Sequence, residues 1–235
     1  MEEVIWNCFD PDAEVGVSSR NRPHWDQRGA VTFVTFRLFD SLPGEVLQRW
    51  RRELAEWLAK QGYDDSDVNA VESKMPKRIR NAYQKFLRQR WNENLDDCHG
   101  SCLLKRPGFA ILVAESLRKF DGERYDVDRL VIMPNHVHLL VQMRPDWELT
   151  GQCESWLRYT GRQLNEALGR RGPMWSEPFD HVVRNSDQFE YLRQYIAENP
   201  AKARLHQGDA LLWIRGQGYI LPERLGRPRN ESEKT

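Results

Sequence analysis

The sequence predicts an α+β fold: a mixed, mainly antiparallel sheet with helices packed on one face. Three observations carry this. Residues 30–38, AVTFVTFRL, are β-branched and aromatic and read as a strand. Residues 130–142, LVIMPNHVHLLVQ, hold two apolar runs around Pro134-Asn135, a turn signal, and read as a tight hairpin. The segments between and after them repeat apolar residues at helical spacing. Strands joined both by a hairpin and by helical crossovers belong to this class.

The composition is that of a globular chain. Of 235 residues, 40% are hydrophobic and 30% charged, enough for one substantial core and against disorder. No apolar run approaches the roughly 20 residues that span a bilayer. The acidic start MEEVIWNCFDPD lacks the basic-then-apolar pattern of a signal peptide, which places the protein in the cytoplasm. The formal net charge is zero, so a nucleic-acid partner would need a local basic patch. Cys98, His99 and Cys102 resemble half of a zinc site, but no second pair follows at ligand spacing. Free thiols are expected at Cys8, Cys98, Cys102 and Cys153.

In chain order, residues 1–29 read as an irregular lead-in to a single domain over residues 30–220. After the strand at 30–38, Asp40–Gly44 is a turn, and Pro43 suits a helix start. Residues 45–60 form a helix whose Leu47, Trp50, Leu54, Trp57 and Leu58 share a face. Residues 61–69 are a polar, acidic linker. Residues 74–90 are densely basic, with Lys74, Lys77, Arg78, Arg80, Lys85, Arg88 and Arg90 and no acid, over an apolar side of Ile79, Tyr83, Phe86 and Leu87. A basic helix of this kind can lie along a phosphate backbone, or it can be a solvated face. The stretch at about 45–90 is a helical insertion. Residues 94–105 read as a loop and 109–120 as a helix with Ile111, Leu112, Ala114, Glu115 and Leu117 spaced to bury one side, ended by Gly122. A strand at 124–133 leads into the hairpin. A long helix over 149–168 buries Leu149, Cys153, Trp156, Leu157, Leu164 and Leu168. Residues 179–184, a short apolar run ending in a cation, are the last strand of the sheet. A helix over 187–199 has Ser186 or Asp187 as its cap and ends at Pro200. A Trp-containing segment over 206–220 and a polar tail over 221–235 complete the chain.

His136 and His138 are one residue apart on the predicted strand, so both point to one face while Val137 points to the other. Two such imidazoles can grip a divalent cation; equally, they can be buried strand histidines with hydrogen-bonded rings. Tyr195 and Asn199, four apart on the last helix, share a face. A tyrosine oxygen can serve as a covalent nucleophile, and an amide oxygen can complete a three-ligand site suited to Mg²⁺ or Mn²⁺.

MPNHVHLL, followed by FDHVVRNSDQFEYLRQYIAENPAKA, resembles the single-tyrosine transposases of the HUH endonuclease superfamily. More narrowly it is similar to their REP-associated branch, linked to repeated extragenic palindromes. VTFRLFDSLP, DGERY and GPMWSEPFDH fit that branch too. The resemblance covers residues 30–43 and 101–206 and leaves out the basic helix.

The resemblance implies a ferredoxin-like antiparallel sheet with helices packed on it. It makes His136 and His138 the metal ligands and Tyr195 the nucleophile. Asn199 stands where related transposases place a glutamine ligand. It implies a Mg²⁺- or Mn²⁺-dependent endonuclease and strand transferase, acting on single-stranded DNA at palindromic hairpins through a 5′-phosphotyrosine link. The protein would be a monomer or homodimer, cytoplasmic and associated with the nucleoid. Lys77, Arg78, Arg80, Arg158 and Arg162 are candidate phosphate contacts, and Trp91 or Tyr159 candidate base-stacking residues. Two other readings share these residues: a hairpin-binding regulator without cleavage, and a metal-dependent hydrolase that activates water.

Overall fold

The computed structural model describes residues 4–13, 16–19, 23–64, 72 and 74–220. Most of the acidic linker and the whole C-terminal tail lie outside them. The chain divides into two compact units, one of residues 1–39 and 103–235, the other Asp40–Cys102.

The first unit is built on strands β3 (Val31–Arg37), β4 (Tyr125–Ile132), β5 (His136–Met143), β6 (Phe179–Val182), β7 (Leu211–Ile214) and β8 (Gly218–Ile220). They lie in the order β6-β3-β5-β4-β7-β8, each pair antiparallel. Strands β3 to β6 thus stand fourth, first, third, second across the sheet. That is the ferredoxin-like arrangement of a split β-α-β-β-α-β unit, with β7 and β8 added beyond β4, so the strand at 179–182 is not the last: the Trp213 segment pairs with the apolar edge of β4. The sheet is antiparallel throughout rather than mixed.

Helices cover both faces, not one. On the first face Val34, Phe36, Val137, Leu139 and Val141 pack with Ala110, Val113, Ala114 and Leu117 of one helix (Pro107–Arg118) and with Leu149, Cys153, Trp156 and Leu164 of another (Leu149–Ala167). On the second, Val31, Phe33 and Leu140 pack with Phe189, Leu192, Tyr195 and Ile196 of the last helix (Ser186–Lys202). The cause is visible in β5, where every residue but Gln142 is buried. A strand apolar on both sides needs cover on both. Each fully buried large apolar side chain contributes roughly 1.5–3 kcal/mol.

Strand β4 contains a bulge. Val127 opposes Val141, yet Arg129 opposes Leu140, leaving Asp128 as the extra residue. The bulge reverses the alternation: Tyr125 and Val127, then Leu130 and Ile132, face the first core, and Val131 faces the second. Bulges re-aim side chains in this way.

Several boundaries differ from the sequence reading. The Pro107–Arg118 helix starts two residues early, with proline in its first turn, and turns Ile111, at 49% exposure, and Glu115 outward while Val113 is buried. The last helix is capped by Asn185, whose side chain accepts from the Gln188 amide at 2.8 Å while Gln188 Oε1 accepts from the Arg184 amide at 2.8 Å. This reciprocal pair resembles a capping box, and it outcompetes Ser186 and Asp187. Pro200 does not end the helix, which runs to Lys202; the Asn199 and Pro200 carbonyls accept from Ala203 and Leu205, so the proline forfeits only its own donor. The lead-in is not irregular throughout: β1 (Gly16–Ser19) and β2 (Pro23–Asp26) pair antiparallel, and Asn7 and Phe9 bond through their backbones to Val31 and Val183.

The second unit holds α1 (Gly44–Lys60) and α2 (Lys77–Asp96); α3, α4 and α5 are the three helices of the first unit in chain order. The α2 helix extends six residues past the basic run, through Asn94, which was expected in a loop. Leu58, Met75 and Tyr83 form its core, with Trp57 stacked on Phe86 at 5.7 Å. The unit's two ends meet. Asp40 takes the Ser101 amide on its carboxylate at 2.8 Å, and a Cβ added at Gly100, where φ is +85°, would stand 2.4 Å from the Asp40 carbonyl oxygen. Only glycine fits there. Gly100→Ala is expected to cost about 2–4 kcal/mol, from the positive φ and the backbone clash together. Urea unfolding measures it; a loss below about 0.5 kcal/mol would mean this closure is not tightly held.

Candidate active site

His136 and His138 project from β5 toward α5, as period-two alternation requires. Both are buried, at 0% and 2% exposure. Their Nε2 atoms lie 3.1 Å apart. His136 Nδ1 donates to Asn135 Oδ1 at 2.8 Å, which leaves His136 Nε2 as the lone-pair nitrogen. His138 Nδ1 is 2.9 Å from Thr35 Oγ1, directly across on β3. A threonine hydroxyl can donate or accept, so His138 can hold either tautomer. Such outer partners orient metal-binding imidazoles.

Burial pushes the His136 pKa down to about 3; burial, then the neighbouring His136, pushes that of His138 well below its usual value. Both rings are therefore neutral at pH 7, the form that binds a metal.

The α5 helix brings the other two residues. The Tyr195 hydroxyl is 3.4 Å from His138 Nε2. Its ring meets His138 edge-on at 5.3 Å and lies 6.1 Å from Phe33, which stacks on His138 at 5.2 Å. Lys202 Nζ stands 5.5 Å from the Tyr195 ring centre. Asn199 is fully buried, and among the described residues neither amide atom has a hydrogen-bond partner. Leaving such an amide unsatisfied costs roughly 1–3 kcal/mol, which a ligand supplying the missing bond would recover. A cation fits: cis ligands on an octahedral ion with bonds of roughly 2.1 Å stand about 3.0 Å apart, close to the imidazole pair. Among the described residues no group of three His, Cys, Asp or Glu could hold a metal; the donors offered here are two imidazoles, with the Asn199 amide one turn after Tyr195 on α5.

The bulge in β4 fixes where α5 sits. Asp128, 3% exposed, takes the Arg193 guanidinium on both oxygens at 2.6 and 3.1 Å and Arg129 Nε at 2.8 Å. Arg129 also donates to the Arg193 carbonyl at 3.1 Å. This tie precedes Tyr195 by two residues. Nothing in the one-dimensional pattern marked Asp128, because a bulge is invisible until strands are paired.

The remaining candidates lie elsewhere. Tyr191, one turn before Tyr195, is 63% exposed to solvent and stacks on Tyr195 at 6.4 Å. Arg158 and Arg162 are exposed on α4 and line a groove of about 690 Å³ with Asn165, Trp175 and Ser176; Tyr159 is exposed beside Arg162. In the second unit Lys77 and Arg78 are exposed, but Arg80 donates to the Glu72 and Met75 carbonyls at 3.2 and 3.0 Å, and Arg90 pairs with Glu53 and Glu93. Trp91 packs on Trp50 at 5.8 Å. The four cysteines are free thiols. Among the described residues no helix is long and apolar enough to cross a membrane.

The likeness to tyrosine transposases read from the sequence is borne out by comparison. Residues 113–199, which include both histidines, Tyr195 and Asn199, match the family described as Transposase IS200 like. No curated protein matches. A solved REP-associated tyrosine transposase bound to a REP hairpin is 15% identical and is covered over 79% of this chain and 73% of that one, with a TM-score of 0.42.

The buried histidines make stability pH-dependent. The unfolded chain binds their protons below about pH 6.5, and folded His136 does not until about pH 3. Stability is therefore complete above pH 6.5 and falls as pH drops below it, by up to about 1.4 kcal/mol per unit for each histidine. Urea midpoints in chelator at pH 7.5 and pH 5 should show the fall, and His136→Asn should flatten it. Equal slopes in the two proteins would mean that His136 titrates normally.

Proposed function

We propose that this protein is a metal-dependent single-strand DNA endonuclease and strand transferase that works through Tyr195. The observation that carries the reading is the Tyr195 hydroxyl, 3.4 Å from an imidazole pair whose nitrogens stand 3.1 Å apart. His136, His138 and Asn199 would hold Mg²⁺ or Mn²⁺. When bound, the ion withdraws charge from the scissile phosphate and orients it. Tyr195 supplies the nucleophile: its phenolate oxygen bonds to phosphorus, the bond to the 3′-oxygen breaks, and a 5′-phosphotyrosine remains beside a free 3′-hydroxyl. That hydroxyl, or another strand's, reverses the step and rejoins DNA. The phenol's proton must leave, and Lys202 beside the ring favours the anion. The Phe33–His138–Tyr195 packing holds the ring in place, so the nucleophile is pre-positioned.

The proposed substrate is single-stranded DNA beside a palindromic hairpin, of the REP kind that the similar solved transposase holds. Arg158 and Arg162 in their groove, and Lys77 and Arg78 on α2, are proposed phosphate contacts. Arg80, bonded to two carbonyls, is the weakest of the original set. Neutralising Lys77 and Arg78 together should lower the slope of log affinity against log salt by about one to two units, roughly one per lost contact. An unchanged slope would mark α2 as a solvated face.

The decisive test removes one oxygen. Tyr195→Phe keeps the ring, so fold and DNA affinity should persist while the covalent protein–DNA adduct, detected by mass, disappears. His136→Ala should lose metal-dependent cleavage and keep the sheet, whose pairing uses the backbone. Continued cleavage by Tyr195→Phe would point to activated water. Hairpin binding by the native protein with no cleavage at all would favour a regulator.

A further inference from the structure

A guanidinium also lies on the histidine face of the sheet. Arg37 ends β3 and opposes His136 in register. Directly opposed residues of antiparallel strands project to the same side. The adjacent pair on that side, Thr35 with His138, is joined side chain to side chain at 2.9 Å, so the alternation is regular here. Phe36, between them, faces the opposite core. Arg37 therefore shares the face of the two histidines.

Its backbone is pinned on the other edge as well. The Arg37 carbonyl accepts from the Ser176 amide at 3.0 Å, and Leu38 bridges to Trp175. The side chain is half-buried. Burial lowers its pKa, though a guanidinium stays charged at neutral pH. A partly desolvated guanidinium gains more from an arriving anion than one bathed in water. Beside it, across the β3–β5 pair, lies His136, with His138 two residues on. A phosphate on this face would meet the guanidinium from one side and a cation held by the imidazoles from the other.

We propose that Arg37 binds the scissile phosphate, donating to its non-bridging oxygens from the side opposite the metal ligands. The proposal rests on the tyrosine–metal reading of the site. Arg37 makes and breaks no covalent bond. As the Tyr195 oxygen approaches phosphorus, negative charge accumulates on the equatorial oxygens, and a fixed fork of N–H donors stabilises that charge more than it does the ground state. The planar guanidinium matches two phosphate oxygens, which a lysine cannot.

The test uses the full-length protein with Mn²⁺ and a pool of single-stranded oligonucleotides, each carrying a hairpin flanked by randomised stretches. Adducts that survive denaturation identify a cleaved member. Single-turnover adduct formation is then compared for the native protein, Arg37→Gln and Arg37→Lys, on that member and on its copy with a neutral methylphosphonate at the scissile position. Arg37→Gln should slow the reaction by about 10²-fold, the scale of one lost charge-stabilising donor. Arg37→Lys should recover part of the rate. On the methylphosphonate the native and Gln proteins should converge, because there is no phosphate charge left to hold. Mn²⁺ affinity by electron paramagnetic resonance should be the same in all three. A Gln variant as fast as the native protein, or slowed equally on both oligonucleotides, overturns the proposal, and so does an altered Mn²⁺ affinity. Should the native protein form no adduct with any member, the tyrosine reading fails, and bound members decide the matter for Arg37. Weaker binding by Arg37→Gln, with a salt slope about one unit lower, supports a phosphate contact; unchanged binding overturns it.

Discussion

Period-two alternation along β5 sends Val137, Leu139 and Val141 into one core and His136, His138 and Leu140 toward the other. The two roles are inseparable. Strand β5 is the centre of the four-strand unit, paired on both edges, so its backbone is rigid and its register is set by apolar packing. A slip of one residue would exchange histidines for valines on every side. The geometry of the histidine pair inherits its precision from the core behind it, and α5 is brought to that face by Phe189, Leu192 and Ile196 on one side and by the Asp128–Arg193 pair beside them.

The electrostatics of the site follow from the same burial. Imidazoles removed from water lose their protons and keep a lone pair each at neutral pH. An amide removed from water without a partner becomes a demand on whatever enters. These are costs to the folded chain, and they gather within one helix and one strand while apolar packing elsewhere offsets them. Asp128 shows the complementary case: a buried carboxylate whose two oxygens are satisfied by two arginines, so that it fixes position rather than awaiting a ligand.

Much of this was legible in the chain. His-x-His on a strand and Tyr-x-x-x-Asn on a helix each fix a face by local geometry alone, so the four residues could be named before any pairing was known. The hairpin around Pro134-Asn135 and the strand at 31–37 were equally local. What was hidden needed a partner to become visible. The Asp128 bulge exists only relative to β5. The second helical face follows from strands buried on both sides, which short apolar runs do not distinguish from one-sided ones. The Asn185–Gln188 cap was present as a spacing but stood one residue ahead of two equally good capping types. Pro200 was read as a stop because its missing donor and the restriction on Asn199 usually end a helix. Here the ladder resumes past the proline, with the Ala203 amide donating to the Asn199 carbonyl. Arg37 lay unnoticed because an arginine at a strand end reads as a surface residue until register sets it opposite His136.

The meeting of Asp40 with Gly100 and Ser101 bears on how the chain folds. Thr35 and His138 are separated by 103 residues, a long loop to close before the central strands can pair. If Asp40–Cys102 condenses first around its own core, its 60-odd residues vanish from that loop, and the effective span falls to about 40. The closure entropy saved is only about 0.8 kcal/mol, but it acts on the slowest kind of contact, a non-local strand pairing. An insertion that returns to its starting point thus leaves the topology of the sheet, in kinetic terms, almost that of the shorter chain without it.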